Sequence, residues 1–138
     1  MKQSNGRAGE EAALYWFRAH GWRMQKLEPP TRNLGPVFGK PGQFRAVYVA
    51  SGCPDYIGHY RHEHVDGDVF YRAVYCEVKE CNTDSMPASR LSKPQREFMA
   101  ALPTDAAYVG ILWHDGIFEV FPFVAKGSYK QGTTVLAP

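Results

Sequence analysis

Between Gly6 and His20 apolar residues recur at helical spacing. Ala13, Leu14 and Phe17 share one face with Glu10, while Glu11, Tyr15 and Arg18 share another. Ser4 or Asn5 can cap this helix, and Gly21 can end it. "WRMQKL" has the length and content of a strand. "EPPTRNLGPVFGKPG" is punctuated by proline and glycine and predicts a loop. "QFRAVYVA", β-branched and aromatic, predicts a second strand. The stretch from Ser51 to Glu80 reads as a β-hairpin turning at Asp66-Gly67. "CNTDSMPASRLS" is a polar connection, followed by a helix from about Lys93 to Leu102 that Pro103 ends. "AAYVGILW" and "IFEVFPFV" form a closing hairpin about Asp115-Gly116, and residues 126–138 read as an irregular tail. The order predicts one α/β domain, 1–138, with a mixed sheet flanked by helices.

Composition narrows the class. A chain that is 44% hydrophobic and 14% aromatic can bury a core, which excludes disorder. Its net charge of +2 is not that of a histone-like protein, so a nucleic-acid partner has to be argued from where charges sit. No apolar run approaches the roughly 18 residues of a membrane span, and "MKQSNGRAGEEAA" lacks a signal-peptide core. A soluble, intracellular protein with no membrane partner is expected. The 3 cysteines are odd in number and lack CxxC spacing, which argues against a disulfide framework. They read most simply as small core residues.

The chemistry concentrates in "CEVKE". Strand alternation turns Val78 and Cys76 to a core and sends Glu77 and Lys79 together to the other face. An acid-x-lysine triplet arises about once by chance in such a chain, and could be a solvated ion pair. Upstream, however, Pro54-Asp55 stands where the first strand of the hairpin begins. Neighbouring strands lie roughly 5 Å apart, so Asp55 and Glu77 can converge. Two carboxylates beside a lysine suit a hard divalent cation, with Mg²⁺ expected and Mn²⁺ as substitute. Lys79 could orient a water, and the Val78 carbonyl is a further possible ligand. The reaction class is metal-assisted phosphodiester hydrolysis.

"PD" at Pro54-Asp55 and "EVK" at Glu77–Lys79 resemble the signature of the PD-(D/E)xK nuclease superfamily. Within it the chain looks most like Holliday-junction resolvases of the RecU-like and archaeal Hjc-like kinds. "GRAGE" resembles their first-helix glutamate motif and "PPTR" their basic extended segment. "EVKE" followed by "SMP" resembles another element, with Met86 where the family carries an aromatic residue. The resemblance spans about Gly6 to Ala125. It implies a restriction-endonuclease-like fold, metal ligation by Glu10, Asp55, Glu77 and Val78, and catalytic roles for Glu10, Asp55, Glu77, Lys79 and Gln95. It also implies the cytoplasm of a bacterial or phage-infected cell.

Glu10 could instead pair with a core lysine or face solvent at the helix start, and Glu11 is then the fallback for it. Gln95 fits a capping box in "SKPQ", yet it shares a helical face with Phe98, Met99 and Leu102, directed at the sheet. His59, His62 and His64 could suggest zinc with Cys53, but structural zinc sites have tighter pairs, so exposed hairpin residues near DNA are the simpler reading. Arg32, Lys40, Arg45, Arg61, Arg90, Lys93 and Arg96 flank the catalytic segments and could contact phosphates. A four-way junction has two equivalent scissile strands, so a C₂ homodimer is expected. The rival functions are a related nuclease of another substrate class and an inactive DNA-binding module.

Overall fold

The computed structural model describes residues 6–27, 31–36, 44–48 and 52–133, the two short central stretches by their backbone alone. Helix α1 (Arg7–Ala19) buries Ala13 and Phe17 of the stripe read from the sequence, together with Gly9, and leaves Glu10 and Leu14 half-buried. Gly6, at φ 79, occupies the N-cap position and offers no side-chain cap. Ser4 and Asn5 lie outside the described residues. The chain then forms β1 (Arg23–Lys26), β2 (Thr31–Pro36), β3 (Phe44–Tyr48), β4 (Tyr56–Glu63) and β5 (Val69–Cys81). After β6 (Ser85–Pro87) and one 3₁₀ turn come α2 (Lys93–Ala100), β7 (Ala107–Trp113), β8 (Phe118–Pro122) and β9 (Ser128–Lys130).

The protein is mixed α/β. Its main sheet has 5 strands in the order β1-β4-β5-β7-β8. Only β5 and β7 run parallel, and the other neighbours are antiparallel. The hairpins turn where Gly67 (φ 91) and Gly116 (φ 86) supply positive φ, as the two Asp-Gly pairs predict.

Two sequence expectations are corrected. The stretch expected as a loop contains β2, which pairs with β3 as a separate ribbon containing a register shift between Asn33 and Gly35. Backbone pairing with a distant segment overrides the local proline and glycine signal. The expected tail contains β9, which pairs with β6 and buries Tyr129 to 2% exposure. The Tyr129 hydroxyl is satisfied by the backbone of Val124.

Each face of the sheet carries a core. Under α1, Phe17, Trp22, Tyr56, Val74, Cys76, Val78, Tyr108 and Val120 pack together. On the α2 side lie Cys81, Met86, Leu91, Met99, Val109, Ile111, Trp113, Phe121 and Tyr129. Fully burying a large side chain contributes roughly 1.5–3 kcal/mol, so β5, which serves both cores, is firmly held. Val78 faces α1, and Glu77 and Lys79 face α2, as alternation requires. The hairpin also outruns the sheet. β1 pairs with β4 only at Tyr56–His59, and β7 meets β5 only from Tyr75 onward, so the tip is two strands wide.

Candidate active site

The backbone pairing of β4 with β5 stops at Tyr56, opposite Cys76. The next N–H on that edge, Val78, donates to Oδ2 of Asp55 at 3.0 Å. A side chain thus continues the ladder where the partner strand ends. A strand residue's N–H and C=O point to the same edge, so the Val78 carbonyl emerges beside Asp55. Further along, Arg90 Nη2 donates to the Glu80 carbonyl at 3.2 Å.

Asp55, one residue before β4, stands opposite Glu77 by extension of the Tyr56–Cys76 register, and its charge acts on the Glu77 carboxyl. Glu77 is 4% exposed and is the buried charged residue of the described set. Gln95 Nε2 donates to its Oε1 at 3.0 Å, and Lys79 Nζ stands 3.8 Å from the same oxygen. Burial, then the neighbouring Asp55 charge, pushes the Glu77 carboxyl up to about 8, against a smaller opposing pull from Lys79. At neutral pH and without a cation, Lys79 therefore faces a mostly neutral acid, and the 3.8 Å contact is not a full ion pair.

Gln95 closes the capping box and also reaches the sheet, where it meets Glu77. Its Oε1 accepts from the Ser92 N–H at 2.9 Å, Ser92 Oγ accepts from the Gln95 N–H at 3.2 Å, and its Nε2 is free to hold Glu77. The capping box fixes the amide and so positions the donor.

Glu10 follows a different course. Its carboxylate meets Lys26 Nζ at 3.0 Å and 3.2 Å, supplying the partner that a carboxylate on an apolar stripe needs. Tyr56 lies within electrostatic reach of Glu10, Lys26 and Asp55, but the charges that act on Glu77 are Asp55 and Lys79, and the structure does not bring Glu10 to that pair. Among the described residues no three His, Cys, Asp or Glu side chains gather at metal-ligand spacing. Glu11 is 67% exposed and paired with Arg7.

The expected phosphate contacts are dispersed. Arg61 pairs with Glu63 at 3.1 Å and Lys93 with Glu97 at 3.9 Å. Arg96 carries a buried Nε with no partner among the described residues. Lys40 and the side chains of Arg32 and Arg45 lie outside the described residues. His62 and His64 lean on Phe70, with ring centroids 4.8 and 4.9 Å away.

Two residues of the loop before Asp55 were not read from the sequence as neighbours of this cluster. Cys53 is only half-buried, unlike Cys76 and Cys81, and its thiol is raised by burial, then by the Glu77 and Asp55 charges. Gly52, at φ 79, lets its loop press on α2. A Cβ there would lie 2.2 Å from the Pro94 carbonyl oxygen and 2.6 Å from the Gln95 nitrogen. The clue available was a glycine two residues before Pro54. Gly52→Ala is expected to destabilise the fold by about 2–4 kcal/mol through overpacking and a disfavoured φ, read as a lower midpoint in urea denaturation. An unchanged midpoint would show that the loop does not bear on α2.

The chain matches no family model and no curated protein sequence. Among the described residues no helix is long and apolar enough to cross a membrane.

Proposed function

We propose that this chain is a divalent-cation-dependent endodeoxyribonuclease of the PD-(D/E)xK type, with a restriction-endonuclease-like fold, that cuts four-way DNA junctions. The observation that carries this reading is that Asp55, its Oδ2 on the Val78 N–H, stands opposite Glu77 at the end of β4, with Gln95 and Lys79 on the Glu77 carboxyl. The donor set suits a hard cation. Two adjacent carboxylates and the carbonyl at the open strand edge, Val78, would hold Mg²⁺ or Mn²⁺. When bound, such a cation neutralises charge on a phosphate oxygen and acidifies water.

The chain's own groups do the rest. Lys79 orients the attacking water and offsets the charge that gathers on the phosphate. Gln95 keeps the Glu77 carboxyl facing Asp55. Glu77 gives up its proton to become a ligand. Glu10 enters this set only by exchanging Lys26 for the cation. Arg90, Lys93 and Arg96 lie on and before α2, the helix that carries Gln95, and offer positive charge to flanking phosphates. Two such sites, one per protomer of a C₂ dimer in the cytoplasm, would serve the paired scissile strands of a junction.

The test is incubation with a four-way junction, a matched linear duplex and a single strand, with Mg²⁺, Mn²⁺ or chelator. Junction cleavage that needs the cation, with the duplex spared, is the expected result. Equal loss of all substrates would move the assignment to a related nuclease of another class. The Glu10–Lys26 pair favours one further reading, an inactive DNA-binding module. Cation-independent binding with no cleavage of any substrate is what that reading requires.

A further inference from the structure

The face of the sheet that carries Asp55 and Glu77 continues well past them. Counting by alternation from Asp55 along β4 gives Ile57, His59, Arg61 and Glu63; from Glu77 back along β5 come Tyr75, Ala73 and Tyr71. The register agrees, since Arg23 pairs with His59 and Arg61 with Tyr71. α2 covers this face only near the site, where Phe98 meets Tyr75 at 6.1 Å between centroids. Beyond it Arg23 and His59 are exposed, Arg61 is 54% exposed and Tyr71 is 68% exposed. Together with Gly21 these side chains line a depression of about 150 Å³.

We infer that Arg23, His59, Arg61 and Tyr71 form a subsite for the DNA backbone, which takes the strand leading away from the scissile phosphate. This rests on the phosphodiesterase reading above and extends it. Three arguments select a nucleic-acid backbone as the occupant. The two guanidiniums and the imidazole N–H are donors suited to phosphate oxygens, and the phenol adds a hydroxyl donor and a ring face. The subsite is continuous with the site along one sheet face, with no element of the described residues between Tyr75 and Tyr71. The distance also fits. At about 3.3 Å per residue, His59 lies roughly 13 Å and Arg61 roughly 20 Å along the strand from Asp55. A duplex strand rising 3.4 Å per step would reach them after about four to six base steps.

The Arg61–Glu63 pair does not block this role. Both partners are more than half exposed, and such a pair contributes too little to hold the guanidinium against a phosphate.

The test compares the wild type with a triple variant, Arg23→Ala, His59→Ala and Arg61→Ala, by fluorescence anisotropy on a junction, a linear duplex and a single strand across a salt series. A cation chelator is present, so no cutting is required. All three positions are exposed, and circular dichroism checks the fold. Loss of about two to three phosphate contacts should flatten the duplex salt slope by about 2 and weaken binding roughly tenfold or more at low salt. Trimming the duplex to fewer than about four base pairs beyond the cut should weaken the wild type and leave the triple variant indifferent. Tyr71→Ala should weaken the single strand more than the duplex, because stacking needs an open base. An unchanged slope with affinity within twofold overturns the subsite, as does a wild type that binds no DNA. Binding lost in the variant, with a wild type that never cuts, upholds the subsite and sinks the nuclease reading instead.

Discussion

Asp55→Asn is expected to lower junction cleavage at least about a thousandfold while leaving junction affinity within a few-fold of the wild type. The substitution removes one of two adjacent carboxylates and keeps an oxygen for the Val78 N–H, so the strand edge that Asp55 completes survives. What goes is the negative charge needed to hold a cation. Cation stabilisation of a phosphoryl transition state is worth several kcal/mol, and each 1.36 kcal/mol is tenfold in rate. Single-turnover cleavage with Mg²⁺ measures the loss, and anisotropy with chelator measures the affinity. A variant that cuts within tenfold of the wild type would take Asp55 out of the site. A variant that neither cuts nor binds would point to misfolding, which its denaturation midpoint would show.

The second large effect concerns stability without any substrate. Glu77 loses its proton near 4.5 in the unfolded chain but holds it to about 8 in the fold. Between those values the native state binds one more proton than the unfolded state. Its stability therefore falls as pH rises, by up to about 1.4 kcal/mol per pH unit. Glu77's favourable share is complete below pH 4.5 and is lost as pH passes about 8, a swing of several kcal/mol. Glu77→Gln removes the titration and keeps an oxygen for Gln95 Nε2. Urea denaturation in chelator should find the variant close to the wild type near pH 5 and several kcal/mol more stable near pH 8. Added Mg²⁺ should then raise the wild type at pH 8 and leave the variant unmoved. Parallel pH profiles for the two proteins would refute the burial of a proton at Glu77.

The elements that were legible in the sequence are those whose signal is local. Alternation along β5 separates Glu77 and Lys79 from Cys76 and Val78 with no knowledge of neighbours, and the Asp-Gly pairs mark both turns. Asp55 was legible because a hairpin joins it to Glu77, so antiparallel pairing alone returns one to the other. Where the partner is distant, the sequence is silent. That Glu10 could pair with a lysine was legible from its place on an apolar stripe, but Lys26 is that lysine only because β1 lies against α1, and nothing in "WRMQKL" announces it. β2 and β9 exist by pairing, against their own proline, glycine and polar content. Gln95 was readable as a cap or as a site residue, but the two ends of one amide can serve both, and only the surroundings of the side chain reveal that.

The edge of β5 beyond Tyr56 has a consequence of another kind. A strand edge with bare amides is a template on which a second chain can add, and folded proteins blunt such edges with charge. Among the described residues it is Asp55 and Arg90 that occupy this one, by side chain rather than by a neighbouring strand. The Asp55 carboxylate thus leaves the Val78 amide satisfied, so it is not offered as the start of a further strand, whatever else that carboxylate does.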